Sequence, residues 1–235
     1  MTLSYTYWHP TEIQGHVVRL PSHRAVQWLR DPAYEQERVR TMIEVIQPDH
    51  VVFDVGTEQG DMSALWSQLT PHGGVVLIEP NPKVWPCVFE TFKENNLGDP
   101  IASWAGFVGA EDNAGHGPER GWPLMDFEAI IDPAAGFYEL NKNDCATIKL
   151  DTLVEKTTPP NVITIDVEGA EVEVLRGAGR TLAHDRPEVF VSIHPTFLKE
   201  YDAKPGDVFR LLRDADYECQ VLAADHEIHL WATPL

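Results

Sequence analysis

The chain has 235 residues, 43% hydrophobic and 23% charged, enough for one α/β domain with a substantial core and ordinary for a globular protein. A net charge of −19 with no run of Lys or Arg disfavours nucleic acid as a partner, because such a surface repels a phosphate backbone. Three scattered cysteines without a C-x-x-C pair exclude a disulfide framework or a cysteine zinc site, no apolar run reaches membrane-spanning length, and residues 1–16 lack the basic and apolar regions of a signal peptide, so the expected location is the cytoplasm, in a bacterial or phage-infected cell.

Residues 1–32 read as an irregular N-terminal extension packing near the active site, with Tyr5, Tyr7, Trp8 and His9 crowded together and a short strand at residues 16–20. Residues 33–235 read as a single domain. It opens with a helix whose apolar stripe is Val39, Met42, Ile43 and Ile46, stopped by Pro48. Next comes Val51-Val52-Phe53-Asp54-Val55-Gly56-Thr57-Glu58-Gln59-Gly60, an apolar strand ending in an acid and a glycine turn, followed by Met62, Leu65, Trp66 and Leu69 at helical spacing. Strand, glycine turn and helix form the first unit of a nucleotide-binding sheet. The spacing is D-x-G-x-x-x-G rather than the G-x-G-x-x-G of a dinucleotide fold, which points to S-adenosylmethionine. A second acid-tipped strand, Val75-Val76-Leu77-Ile78-Glu79, lies 25 residues past Asp54, at the offset where an acid accepts hydrogen bonds from a ribose diol.

A helix is expected from Asn81-Pro82, with proline at its first position, and a third strand within residues 101–108. Residues 109–146 lose periodicity and carry Trp122, Phe127, Phe137 and Tyr138; a loop of this length reads as a lid or acceptor insertion. Residues 147–151 look like a short extra strand. The fourth core strand is Val162-Ile163-Thr164-Ile165-Asp166-Val167, followed by a helical face of Val172, Leu175, Gly179 and Leu182. Residues 188–193 are the fifth strand, Asp207 caps a helix with Val208, Leu211 and Leu212 inward, and residues 217–222 and 227–231 form a hairpin. The fold class is therefore α/β: a Rossmann-like, doubly wound, mostly parallel seven-stranded sheet with an antiparallel C-terminal edge hairpin.

The chain resembles the FkbM-type methyltransferases. The matching pieces are residues 53–60 with Ser63, Ile78-Glu79-Pro80-Asn81-Pro82, Leu150-Asp151-Thr152-Leu153, and above all Ile165-Asp166-Val167-Glu168-Gly169-Ala170-Glu171, followed by Leu175-Arg176-Gly177-Ala178 and Arg186-Pro187. The resemblance implies methyl transfer from S-adenosylmethionine to a hydroxyl of a carbohydrate, glycan or other small metabolite. It departs from the family at Thr57-Glu58-Gln59 and at Ser192, where many members carry a glutamate. The alternatives are a nucleic-acid or nitrogen-directed methyltransferase and a non-catalytic S-adenosylmethionine-binding module; Asp166-Val167-Glu168-Gly169 stands where base-methylating enzymes carry D/N-P-P-[YF].

In an open α/β sheet ligands bind beyond the carboxyl ends of the strands. The cofactor set expected there is Asp54, Gly56, Thr57, Gly60, Ser63, Glu79, Asn81, Trp104, Ala105 and Asp166, with Gly56 and Gly60 admitting the methionine portion and Trp104 and Ala105 bordering the adenine. Trp104 is equally readable as core. Deprotonating the acceptor hydroxyl requires a base; His194 is the candidate because its reference pKa of about 6.5 allows proton acceptance near neutrality. Asp166 and Glu168 orient the acceptor, hold the histidine or bind a cation. The bland readings are strand and helix caps. Glu171 reads as structural. With Ser192 removing the usual carboxylate, an essential divalent metal is not expected, and a homodimer is left open.

Overall fold

The computed structural model describes residues 7–30, 35–125, 145–224 and 226–235. Residues 1–32 are more regular than expected where described. β1 (Trp8–Ile13) and β2 (His16–Pro21) pair as an antiparallel hairpin, and α1 (Ser22–Arg30) follows without a break. The turn is Gln14-Gly15, both left-handed at φ 49° and 85°, as a two-residue hairpin turn requires. Alternation along the strands buries Thr11 and Ile13 on one and Val18 and Leu20 on the other. That two-residue period is hard to see in the sequence because His, Pro and Thr interrupt it.

α2 (Gln36–Val45), β3 (Val51–Val55), α3 (Asp61–Leu69), β4 (Gly74–Ile78), α4 (Trp85–Glu94) and β5 (Ala102–Trp104) come next, then the two-residue strands β6 (Phe107–Val108), β7 (Glu119–Arg120) and β8 (Thr147–Ile148). The chain continues through α5 (Leu150–Lys156), β9 (Val162–Ile165), α6 (Glu171–Arg176), β10 (Glu188–Ile193), α7 (Pro205–Asp214), β11 (Tyr217–Ala224) and β12 (Ile228–Pro234). The sheet order is β11-β12-β10-β9-β3-β4-β5-β7, with β10, β9, β3, β4 and β5 mutually parallel. The C-terminal hairpin enters with β12 against β10 and β11 outside it, so the reversed strand stands one place in from the edge. β7 adds an eighth strand antiparallel to β5. β6 and β8 pair separately, so the third core strand is only three residues long, and residues 150–156 are helix rather than strand.

Two helix boundaries differ from expectation. α4 begins at Trp85, because Asn81 Oδ1 accepts the backbone N–H of Lys83 and holds residues 81–84 as a turn, leaving Pro86 in the first helical turn. Asp207 is inside α7, where its carboxylate reaches back to accept the N–H of Lys204 at 3.1 Å.

The sheet buries both faces. On one lie Phe53, Val55, Val76, Ile78, Ile163, Ile165, Val189 and Val191, covered by Leu150, Leu153, Val172, Leu175, Val208 and Leu212 of α5 to α7. On the other lie Val52, Val75, Leu77, Val162 and Phe190, covered by Val39 and Met42 of α2, Leu65 and Trp66 of α3, Trp85, Val88 and Phe92 of α4, and the N-terminal hairpin. Each fully buried aliphatic or aromatic side chain contributes about 1.5–3 kcal/mol. The same alternation that puts Val52 and Phe190 on the second face also puts Asp54, Thr164 and Ser192 there, all buried. This polar row marks where the core gives way to the site.

Trp122 packs edge-on against Phe89 and Phe92 of α4 at 5.1 and 5.2 Å and donates to Asp99, as hydrophobic closure of that face. Phe127, Phe137 and Tyr138 of the expected insertion lie outside the described residues.

Candidate active site

β3, β4 and β5 advance across the sheet in one direction and β9 lies on the other side of β3. The order reverses there, and an open α/β sheet binds its ligands at such a switch point. At the end of β3, the N–H groups of Gly56 and Thr57 both donate to the Ile78 carbonyl, at 2.9 and 3.0 Å. The Thr57 hydroxyl donates to the Asp54 carbonyl and accepts from the Ile78 N–H. Thr57 is thus buried in the β3–β4 junction, with its hydroxyl committed to backbone. Gly56 is left-handed at φ 96°, and a Cβ there would overlap the Asp166 carbonyl oxygen; Gly60, at φ 84°, would meet Val88 of α4 at 3.0 Å. Both glycines are thus required by the packing of neighbouring elements as well as by their left-handed backbone.

The polar side chains of this half form a buried set. Asp54 accepts from the Ser63 hydroxyl of α3; burial pushes its carboxyl up to about 6 against the opposing pull of Ser63 and Arg38. Glu79 accepts the N–H of Asn81 at 2.7 Å on one oxygen and that of Glu58 at 3.0 Å on the other, and burial outweighs both bonds to push it up to about 8. Each oxygen retains a lone pair for a further donor. Trp104 is core: its ring N–H donates to the Phe107 carbonyl at 3.0 Å and it is 1% exposed. Ala105, beside it, is exposed and opens the end of β5.

α1 closes over this loop. Arg24 donates to both oxygens of Asp61 at 3.0 and 2.9 Å and pairs with Glu58, Trp28 donates to Asp61 at 2.9 Å, and His23 contacts Gln59. Burial raises the Asp61 carboxyl, but the Arg24 charge together with the hydrogen bonds from Trp28 and Arg24 holds the group below its ordinary range.

Across the switch point, β9 and β10 bring Asp166, Glu168 and His194 together. His194 is 5% exposed; its Nδ1 lies 2.7 Å from Glu171 Oε1, and its Nε2 stands 3.5 Å from each of Asp166, Glu168 and Glu227. Burial lowers its pKa, but Glu171, Glu227 and the other carboxylates outweigh that and push it up to about 11. These carboxylates favour the charged imidazole, a donor, over the neutral ring that proton acceptance by His194 requires. Glu168 is left-handed at φ 52° and its side chain is 70% exposed; partial desolvation of the carboxyl by the surrounding cluster, with Asp166, Glu227 and Glu171 close by, raises it above the ordinary range. Gly169 beside it packs against Phe197, where a Cβ would meet the backbone at 2.7 Å.

Four groups at this site were not anticipated as functional. Arg38 of α2, 3% exposed, lies over the polar row and donates to Asp166 (3.0 Å), Ser192 (2.8 Å) and Thr164 (3.1 Å) while pairing with Glu35 at 2.7 Å. Its signal was a charge four residues before Met42, on the helix's inward face. Ser192 leaves room for that guanidinium and also contacts His229 Nδ1 at 3.1 Å. Glu171 orients His194, and its sequence is indistinguishable from an acid favoured at any helix N-terminus. Glu227 precedes β12 with no signal beyond its neighbouring histidines, and Arg24 had none.

Acid-tipped parallel strands at a switch point, a left-handed glycine turn joining them and a second acidic cluster one strand away define the class I methyltransferase architecture. The model of the "Methyltransferase FkbM domain" family matches residues 54–219; the chain belongs to this family and is an S-adenosylmethionine-dependent methyltransferase. It is 29% identical over 217 residues to the hexuronic acid methyltransferase AglP of Haloferax volcanii, covering 89% of this chain and 82% of that one. Among solved structures it is similar to methyltransferase FkbM from Methylobacillus flagellatus KT (TM-score 0.54, 16% identity, 79% of this chain), of which it spans 44%. It is also similar to a ribosomal protein L11 methylase from Lactobacillus delbrueckii subsp. bulgaricus (TM-score 0.51, 11% identity, 87% and 80% covered). Among the described residues no helix is long and apolar enough to cross a membrane.

Proposed function

We propose that this chain methylates a hydroxyl group of a sugar, with a uronic acid as the acceptor class to test first. The observation that carries the reading is the pairing of two sites across one switch point: a cofactor half at Asp54, Gly56 and Glu79, and an acid–base half at Asp166, Glu168 and His194. The likeness to a hexuronic acid methyltransferase supports the choice of acceptor.

In this reading Glu79 accepts the ribose hydroxyls through its remaining lone pairs, and the backbone of residues 56–60 with Asp54 lines the methionine portion. Ser63 and Asn81 hold Asp54 and Glu79 in place, Ala105 borders the adenine, and α1 shuts the loop through Arg24. S-adenosylmethionine, when bound, supplies a methyl group on a sulfonium, whose C–S bond breaks as the new C–O bond forms. Much of the rate then comes from alignment. Glu168 takes the hydroxyl proton: it is the exposed member of its cluster and its raised pKa makes it a stronger base than an ordinary carboxylate. Asp166 orients the acceptor, Arg38 fixes Asp166, and His194 holds the two carboxylates together.

Calorimetric titration with S-adenosylmethionine is expected to give micromolar binding, and isotope transfer from labelled cofactor to a panel of uronic and neutral sugars identifies the acceptor. The absence of heat with either the cofactor or its demethylated product would end this reading.

A further inference from the structure

We infer that Asp166, Glu168 and His194 form a divalent-cation site that receives the acceptor. One ligand atom from each can be chosen so that all lie within 4.8 Å of one another. A shared ion bound at about 2.0–2.6 Å separates its ligands by no more than roughly twice that length, so the three atoms already occupy positions around a common point. Asp166 has one oxygen tied to Arg38 at 3.0 Å, which leaves the other turned to the cluster.

His194 supplies a separate observation. The ring is 95% enclosed by protein, and its Nε2 points at the place where oxygens of Asp166, Glu168 and Glu227 converge. All three stand at 3.5 Å, longer than the ordinary 2.7–3.2 Å of an N–H···O bond, so Nε2 is shared among three long contacts around one point. Behind the ring, Glu171 accepts at Nδ1, the outer-shell arrangement that fixes a metal-binding imidazole, and a bound dication would take the place of the Nε2 proton. Glu171 is fully buried, and its second oxygen, Oε2, has no hydrogen-bond partner. The five carboxylates of Glu35, Asp166, Glu168, Glu171 and Glu227 outnumber the basic groups paired with them, Arg38 and the imidazoles of His194 and His226. A mixed oxygen–imidazole set of this kind fits Mn²⁺ or Mg²⁺ better than a thiophilic ion. Ser192 removes a carboxylate from β10, and Glu227, arriving from just before β12, puts one back.

The role assigned to the ion rests on the sugar-methylation reading. An anionic uronate would be repelled by a cluster this acidic, and a dication reverses that. Coordination of the acceptor hydroxyl lowers its pKa; its proton passes to the non-ligating oxygen of Glu168, the oxygen's electron pair forms the bond to the methyl carbon, and the C–S pair returns to sulfur as the neutral thioether.

The test is a titration of EDTA-stripped, desalted full-length protein with MnCl₂, free Mn²⁺ being read by its paramagnetic resonance signal. One ion per chain is expected, with Glu168→Gln and Asp166→Asn each weakening it about tenfold or more, and with Glu168→Gln retaining calorimetric affinity for S-adenosylmethionine. Glu168 is exposed, so its variant keeps the fold. A free-Mn²⁺ signal undiminished by excess wild-type protein would overturn the site, as would equal affinity in both variants. Methyl transfer that persists undiminished in EDTA would overturn the ion's role and leave sugar methylation standing. Mn²⁺ binding without any S-adenosylmethionine heat would instead overturn the methylation reading and leave the ion.

Discussion

Replacing Glu79 with glutamine removes an ionisation that the fold opposes. The carboxyl titrates at about 8, up from an ordinary 4.5, because it is 8% exposed and its two backbone donors do not make up for lost water. Between those pH values the folded chain keeps a proton that the unfolded chain has released, so stability falls as pH rises. At about 1.4 kcal/mol per pH unit, the loss reaches roughly 3 kcal/mol by pH 7 and about 5 kcal/mol at pH 8 and above. Asp54, raised to about 6, adds a decline between pH 4 and 6. His194, raised to about 11, contributes stability that is complete below pH 6.5 and lost as pH climbs towards 11. All three slope the same way, so the diagnostic quantity is the difference between wild type and Glu79→Gln. The amide satisfies one of the two backbone N–H groups and faces the other with its own N–H₂, a pH-independent cost of about 1–3 kcal/mol. Urea unfolding at pH 5, 6, 7 and 8 should therefore show the variant less stable at pH 5 and the gap closing or reversing by pH 8. A gap that stays constant across the series would refute the reasoning.

Arg38→Met should cost about 3–5 kcal/mol in denaturant unfolding, because it removes the buried cation that pairs with both Glu35 and Asp166; a loss below 1 kcal/mol would show the cluster to be solvated. Gly56→Ala combines a left-handed backbone with overlap onto Asp166 and should lower stability by more than about 3 kcal/mol, read as a drop in melting temperature. Glu168→Gln should reduce turnover by about 10²-fold or more with cofactor affinity unchanged, and undiminished turnover would remove Glu168 as the proton acceptor.

The parallel core was legible because Val52 to Val55, Val75 to Ile78 and Val162 to Ile165 are buried on both faces and are almost wholly apolar, broken only by Asp54 and Thr164. The N-terminal hairpin was not, since its alternation is half polar and the turn Gln14-Gly15 lacks the usual Asn or Asp. At the site, residues on strand ends could be placed by topology alone, which is why Asp54, Glu79, Asp166, Glu168 and His194 fall where expected. What topology could not supply was the partner of each charge. Arg38 lies 128 residues from Asp166 in sequence, and Glu227 lies 33 beyond His194. The protonation of His194 is set by those partners, so its chemistry could not be inferred from residue type.

The family-matched segment runs from 54 to 219, yet Arg24 and Arg38 precede it and Glu227 follows it. A recombinant fragment trimmed to those limits would bury Asp61 without its counterion, release Asp166 from its tether and lose one wall of the acidic cluster. Grafting this segment onto another member's flanks would fail for the same cause unless both arginines travelled with it.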